Sequence, residues 1–319
     1  MTSQAQPSGP LLAPSSAPDV SRPTGGETIT TRRAWLLATR PRTLPAAIAP
    51  VVVGTAVAIR EGGFDALAAL ACIAVALLLQ IAANLANDAF DHRRGADTAE
   101  RVGPIRVTAA GLIPARRVLL ATWLTLGLAI LVGAYLAWLG GPVFIGVGLL
   151  AVLSAVLYTG GPAPLAYAGL GDLFVFLFFG LVAVAGTAFV QTGELTSLAL
   201  IAGVPIGALA TAILVVNNLR DIDGDRRASK RTLAVRLGPA GAIAEYVSLL
   251  TLAFLVPVML VIDGTLGVWS FVPLVLLPLA VVMARGVMTE TGRALNARLA
   301  GTARLELLFA LLFAAAIVR

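Results

Sequence analysis

Nine runs of apolar residues, each about as long as a helix must be to cross a bilayer, occupy most of this 319-residue chain. They fall near 43–60, 66–87, 117–139, 142–159, 172–190, 196–217, 241–262, 268–288 and 302–318. In hydrocarbon every backbone N–H and C=O must be paired inside a helix or a closed barrel. These runs lack the alternation of barrel strands, so they predict helices. The expected fold class is all-α: a polytopic membrane protein of about nine transmembrane helices. Only 13% of the residues are charged and the mean hydropathy is +0.92, far from the roughly one-quarter charged usage of a soluble domain.

Residues 1–34 read as a disordered N-terminal tail, being rich in Pro, Ser, Thr and Gly without an apolar h-region. Residues 35–319 read as one transmembrane domain. The single cysteine, Cys72, lies inside an apolar run, where a small core residue is the ordinary role; it permits neither an internal disulfide nor a Cys-based metal site. Of the 23 Lys and Arg, 21 fall in the tail and the 2–3, 6–7 and 8–9 loops, leaving only Arg60 and Arg319 on the other side. That bias puts the N-terminus and these loops in the cytoplasm, in a multi-pass inner (cytoplasmic) membrane protein. Topology alone demands such basic loops, so a net charge of +6 does not by itself point to an anionic ligand; membrane lipid is the expected partner and no nucleic acid is implied.

The acidic residues discriminate better, since seven of 17 sit in two short stretches after runs 2 and 6. The first holds Asn84, Asp88, Asp91, Asp97 and Glu100; the second holds Asn217, Asp221, Asp223 and Asp225. Asn84 and Asn217, Asp88 and Asp221, His92 and Asp225, and the following Arg pairs all match at an offset of 133 residues. The chain therefore reads as two pseudo-repeated halves, each with one polar helix end, and a site between them would collect both sets. At 3.6 residues per turn Asn84, Asp88 and Asp91 share a helix face, as do Asn217, Asp221 and Asp225. Carboxylates beside long apolar runs are costly unless a cation or polar cavity receives them. Facing carboxylates with Arg and Lys nearby suit a hard cation such as magnesium bridging protein to a diphosphate. One His and one buried Cys make zinc a poor fit.

At these residues the chain resembles a known family. Paired Asp motifs on helices 2 and 6 of a nine-helix membrane protein are similar to those of the UbiA superfamily of intramembrane aromatic prenyltransferases. The strings Arg40–Pro50, Asn87–Asp91, Arg106-Val-Thr108, Tyr158–Pro162, Gly169-Leu-Gly171, Asn217–Asp221 and Lys230–Gly238 resemble its 1,4-dihydroxy-2-naphthoate polyprenyltransferase (MenA-type) branch. The resemblance covers roughly residues 35–318 and implies a UbiA-like helical bundle.

It also implies a magnesium-dependent transfer of a polyprenyl group from polyprenyl diphosphate to the naphthoate ring. Carbon dioxide and diphosphate would be lost, giving demethylmenaquinol for menaquinone biosynthesis. By that resemblance Asp88, Asp91, Asp221 and Asp225 are catalytic and hold magnesium, with Asn84 and Asn217 as further oxygen ligands or orienting groups. Arg101, Arg106, Lys230 and Arg231 bind the diphosphate, and Tyr158 shields the allylic cation, an interfacial tyrosine being the competing reading. Two alternatives stay open: another aromatic acceptor, such as 4-hydroxybenzoate or homogentisate, or a secondary transporter.

The blander readings are specific too. By the resemblance, His92 stands at the last position of the first motif's Asn-x3-Asp-x3-Asp pattern, with Asp91 and Asp97 serving in its place. Asp223 lies about 120° off the second motif's face and reads as a helix-end residue. His92 reads as an exposed helix end, and the loops after both motifs read as solvated chain that could also act as lids. Asp172 stands where the resemblance leads one to expect Glu, an exchange of one carboxylate for another. Phe174–Phe179 reads as lipid-facing or packing residues.

Overall fold

The computed structural model describes residues 29–95, 102–158, 160 and 164–319. Every described element is helical. A short helix α1 (Thr31–Thr39) begins inside the expected tail, capped by the Thr30 side chain accepting from Arg33 N–H. Arg40 takes a left-handed φ of 51° and Pro41 follows, which stops α1 and turns the chain through a 3₁₀ turn into α2 (Pro45–Arg60). The two helices meet at a 47° bend.

The polar caps of the long helices are local and legible. The Asp65 side chain accepts from Leu67 and Ala68 N–H at the start of α3 (Ala66–Arg93). α4 (Ala115–Gly140) and the 16-residue α5 (Pro142–Leu157) follow, meeting at Gly141 and Pro142. The fifth run is α6 (Gly171–Val175), a π-helical segment over Phe176–Val182, and α7 (Ala183–Thr192). Thr196 caps α8 (Ser197–Arg220), short α9 (Ile222–Arg227) comes next, and Thr232 caps α10 (Leu233–Ile262). α10 is kinked where Gly238 (φ 73°) meets Pro239. A 3₁₀ segment over Val268–Leu276 leads into α11 (Leu277–Thr289), and α12 (Leu295–Val318) closes the chain.

All nine sequence runs are thus helical, but seven helices are long and apolar enough to span by themselves. The bent α1–α2 pair makes an eighth, and α5 falls short of the length of a span, so the count of nine stands as an approximation. The pseudo-repeat is visible in packing, since α4 lies on α3 as α10 lies on α8. α8 is the most buried helix, surrounded by α2, α10, α12 and the π segment in the largest apolar cluster. Gly180, Gly203 and Gly207 let the π segment close on α8: a Cβ on Gly180 would lie 2.6 Å from Gly207 Cα. Leu124, Leu131, Trp138 and Leu149 point outward, as lipid-facing residues do.

Connections at one end are tight. There Arg60 Nη1 donates to Ile317 O at 3.0 Å, satisfying a terminal carbonyl of α12. The opposite end gathers the C-termini of α3, α5 and α8 with the N-termini of α6, α10 and α12. Both acid motifs sit there.

Candidate active site

α3 runs unbroken to Arg93, so Asn84, Asp88 and Asp91 lie along one buried face. Asn84 Nδ2 donates to Thr39 O (3.1 Å) and to Thr43 Oγ1 (3.3 Å), tying the motif to the turn before α2. Asp88 accepts Val107 N–H at Oδ2 (3.0 Å) and Thr108 N–H at Oδ1 (2.9 Å). The carboxylate folds the connection after α3 back over the helix end. Val107, Thr108 and Ile113 are buried there, where a solvated loop was the default expectation. Asp91 accepts from Arg106 Nη2 at Oδ2 (3.0 Å), both side chains buried, and from Tyr167 Oη at Oδ1 (3.4 Å).

In the second motif α8 ends at Arg220, and Asp221 (φ −96°, ψ 7°) breaks the helix before α9. The i to i−4 bonds still carry through, from Asp221 N–H to Asn217 O (3.2 Å) and from Asp225 N–H to Asp221 O (2.8 Å). The expected stacking of Asn217, Asp221 and Asp225 therefore survives the break. Asp225 pairs with Lys230 Nζ at 3.6 Å. Asp223 is exposed and pairs with Arg226 at 3.4 Å, off the motif face as its angle requires.

Three residues here escaped the sequence reading. Arg220 counts in the sequence as one more loop cation, yet it is buried. Its guanidinium grips Asp221 through Nε (2.9 Å) and Nη2 (2.6 Å), and reaches Asn217 Oδ1 (2.8 Å) and Asn296 Oδ1 (2.9 Å). This planar fork against a carboxylate is a geometry lysine cannot reproduce. Its spacing, three residues after Asn217, was the available signal. Asn296 Nδ2 in turn donates to Val102 O at 3.4 Å, linking the second motif to the connection of the first.

Tyr167 joins the motifs from the third side. Its hydroxyl meets Asp91, while its ring lies beneath the Arg94 guanidinium (5.1 Å) and the Lys230 ammonium (5.7 Å). Its carbonyl accepts Arg231 N–H (3.2 Å), and the neighbouring Ala168 O accepts Arg236 Nη2 (2.7 Å). Burial and the Asp91 carboxylate push the Tyr167 phenol up to about 12, so it is a protonated donor at neutral pH. Tyr158, at the end of α5, is within electrostatic reach of Asp172, Asp225 and Asp91. Asp91 and Asp225, one from each motif, thus act on the same two tyrosines.

The remaining site candidates divide clearly. Arg106 is buried against Asp91, Lys230 stands beside Asp225, and Arg231 is exposed. His92 is exposed in the last turn of α3. Arg101 and Asp97 lie outside the described residues. Among the described residues no three Asp, Glu, His or Cys side chains converge into a ready metal cage. The donors are nevertheless carboxylate and amide oxygens, as a hard cation requires, and magnesium commonly takes one or two carboxylates and completes its shell with phosphate oxygens and water. The donor set fits that mode.

Fold and site define an all-helical membrane protein with two acid motifs meeting at one end of the bundle. The sequence model of the UbiA prenyltransferase family matches residues 47–315, and the chain belongs to that family. It is 45% identical to the 1,4-dihydroxy-2-naphthoate octaprenyltransferase of Mycobacterium tuberculosis, covering 81% of this chain and 87% of that one. To the Escherichia coli protein of the same name it is 38% identical, covering 82% and 87%. Among solved structures, the bundle resembles a UbiA homologue from Archaeoglobus fulgidus bound to GPP and Mg2+ (TM-score 0.65, 16% identity, 89% and 99% coverage). It also resembles the apo UbiA homologue from Aeropyrum pernix (TM-score 0.64, 17% identity, 86% and 96%). The chain is an enzyme that transfers a prenyl group, which sets the transporter alternative aside.

Proposed function

We propose that this enzyme transfers a polyprenyl group from polyprenyl diphosphate to 1,4-dihydroxy-2-naphthoate, with magnesium, releasing diphosphate and carbon dioxide and forming demethylmenaquinol. The observation that carries the proposal is the approach of Asp91 and Asp225 from opposite motifs to the same two tyrosines, with Lys230 alongside. The relatives named for 1,4-dihydroxy-2-naphthoate support the acceptor. The oxygen donors here support the metal, as does the Archaeoglobus homologue bound to Mg2+.

Asp88, Asp91, Asp221 and Asp225 would hold magnesium, with oxygen support from Asn84 and Asn217. Bound there, magnesium supplies neutralisation of the charge that develops on a departing diphosphate. Lys230 and Arg231, with Arg101, bind the diphosphate, and Arg106 fixes the Asp91 carboxylate. In the reaction the C1–O bond of the allylic diphosphate breaks with its electron pair leaving on diphosphate. The ring carbon that bears the carboxylate then bonds to C1. The carboxyl C–C bond breaks last, its pair returning to the ring as carbon dioxide departs. Tyr158 presents an aromatic face to the allylic cation, and the folded connection of Val107 and Thr108 keeps water out. The positive-inside bias supports a cytoplasmic setting for this end of the bundle.

The test is an assay in membranes with geranylgeranyl diphosphate, dihydroxynaphthoate and magnesium, following both prenylated product and carbon dioxide. Equal amounts of the two are expected. Transfer to 4-hydroxybenzoate but not to the naphthoate would overturn the acceptor assignment.

A further inference from the structure

Asp172 and Glu245 are carboxyl groups outside both acid motifs that take part in no step above, Asp172 buried and Glu245 half-buried. Asp172 is 6% exposed in the first turn of α6, and its Oδ1 has no hydrogen-bond partner among the described residues. Glu245 comes from α10, beyond the kink at Gly238, and lies within electrostatic reach of Asp172. Its Oε2 is likewise buried without a partner. A carboxyl oxygen cut off from water and left without a donor is costly, by several kcal/mol where the group is ionised. Inside a membrane span such a group marks a ligand or a pathway.

Position says which ligand. The Tyr158 hydroxyl rests against Gly171, where an added Cβ would lie 3.0 Å from it, and Tyr158 is in reach of Asp91, Asp225 and Asp172 together. A file of polar groups therefore descends from the two motifs through Tyr158 to Asp172 and on to Glu245. Thr211 Oγ1 lies 3.5 Å from Asp172 O and sits six residues before Asn217 on α8. At 1.5 Å per residue this contact lies about 9 Å from Asn217 along α8, deeper in the bundle. The π segment that begins at Phe176, immediately beyond α6, is a distortion often found at functional sites.

The chemistry of the vacant oxygens narrows the choice. They lack O–H or N–H donors. A prenyl diphosphate brings only acceptor oxygens and an apolar chain. A hydroxylated aromatic ring brings the missing donors.

We propose that Asp172 and Glu245 bind the aromatic acceptor through its hydroxyl groups, each carboxyl accepting one ring O–H and so fixing which ring carbon faces C1 of the prenyl diphosphate. The proposal rests on the prenyl-transfer reading of the neighbouring site and makes these two positioning residues. A diol satisfies both carboxyls, whereas a ring with one hydroxyl satisfies one.

The experiment uses the full chain in membranes with geranylgeranyl diphosphate and magnesium. The acceptors are dihydroxynaphthoate and its two mono-O-methyl ethers. For the wild-type chain each ether should raise the acceptor KM by about tenfold or more, the worth of one hydrogen bond to a charged group. Asp172→Leu and Glu245→Leu should raise the KM for the diol by a similar factor, leave the KM for the prenyl diphosphate unchanged, and lose the preference for diol over ether. A merely structural role would shift both KM values together and preserve that preference. Asp172→Glu should restore the wild-type pattern, and Glu245→Gln serves if a leucine variant does not accumulate. Ethers used by the wild-type chain as well as the diol, or full discrimination retained in the variants, would overturn the proposal. No wild-type transfer to the diol at all would instead overturn the acceptor assignment, and this proposal with it.

Discussion

Replacing Asp88 with Asn isolates what the first motif does for its own connection. The side chain keeps its size, but one carboxylate oxygen becomes an amide nitrogen facing the N–H of Val107 or Thr108. One charge-assisted bond is lost and the other becomes neutral. Hydrogen bonds to charged groups are worth about 1.5–3 kcal/mol and neutral ones about 1. Val107 is fully buried, so water does not replace the missing acceptor. The lost bond alone should therefore loosen the turn by roughly 1.5–3 kcal/mol, which is at least a roughly 10- to 150-fold rise in its opening equilibrium, and the weakened bond adds to it. Hydrogen exchange followed by mass spectrometry on peptides spanning 102–113 reads that factor directly. Peptides from the far end of α12 should not change. Prenyl transfer should fall in parallel. Unchanged protection at Val107 and Thr108 together with lost transfer would refute the reasoning and leave Asp88 acting on the ligand alone.

Arg220→Ala should destabilise the protein by about 3–5 kcal/mol, because it removes a buried guanidinium and both of its bonds to the Asp221 carboxylate; Arg220→Lys should recover only part of this, lacking the fork. Thermal unfolding in detergent measures both, and a lysine variant as stable as wild type would refute the bidentate role. Tyr167→Phe keeps the ring under Arg94 and Lys230 but removes the donor to Asp91, so transfer should drop roughly fivefold to tenfold, the worth of one modest hydrogen bond. With the phenol pushed up to about 12, wild type and variant should share one pH profile between about pH 7 and 9; a limb lost in the variant would contradict this. Gly180→Ala should cost about 1–3 kcal/mol by forcing the π segment off α8, since the new methyl meets backbone of Gly203 and Gly207 rather than a movable side chain. An unshifted melting temperature would show that the two segments part easily.

What could be read from the sequence was what is local to one helix. Each apolar run became a helix because the bilayer leaves the backbone no other partner, and the caps at Asp65, Thr196 and Thr232 sit one residue before their helices. The stacking of each motif depends only on helical rise and turn. The contacts that complete the site are not local. Tyr167 meets Asp91 across 76 residues of chain, and Asn296 meets Val102 across 194. No periodicity within a run encodes which helix ends come together, so Tyr167, Asn296 and the pairing of Asp172 with Glu245 surfaced only in the packed bundle, whereas Arg220 left a local signal in its spacing from Asn217.

The repeat itself explains a division the sequence could not show. Asp88 and Asp221 are equivalent at the offset of 133, and both are gripped on two oxygens by protein donors: backbone amides for one, Arg220 for the other. Asp91 and Asp225 are not equivalent, since His92 occupies the position that corresponds to Asp225. Yet these two share Tyr158 and Tyr167. The repeat-related carboxylates thus hold each half of the scaffold together, where both halves face the same structural demand. The ligand proposed here has a charged head and a single apolar tail, and nothing about it is twofold. A site for it must break the symmetry that its two halves share, and the shift from Asp225 to Asp91 is where this chain does so.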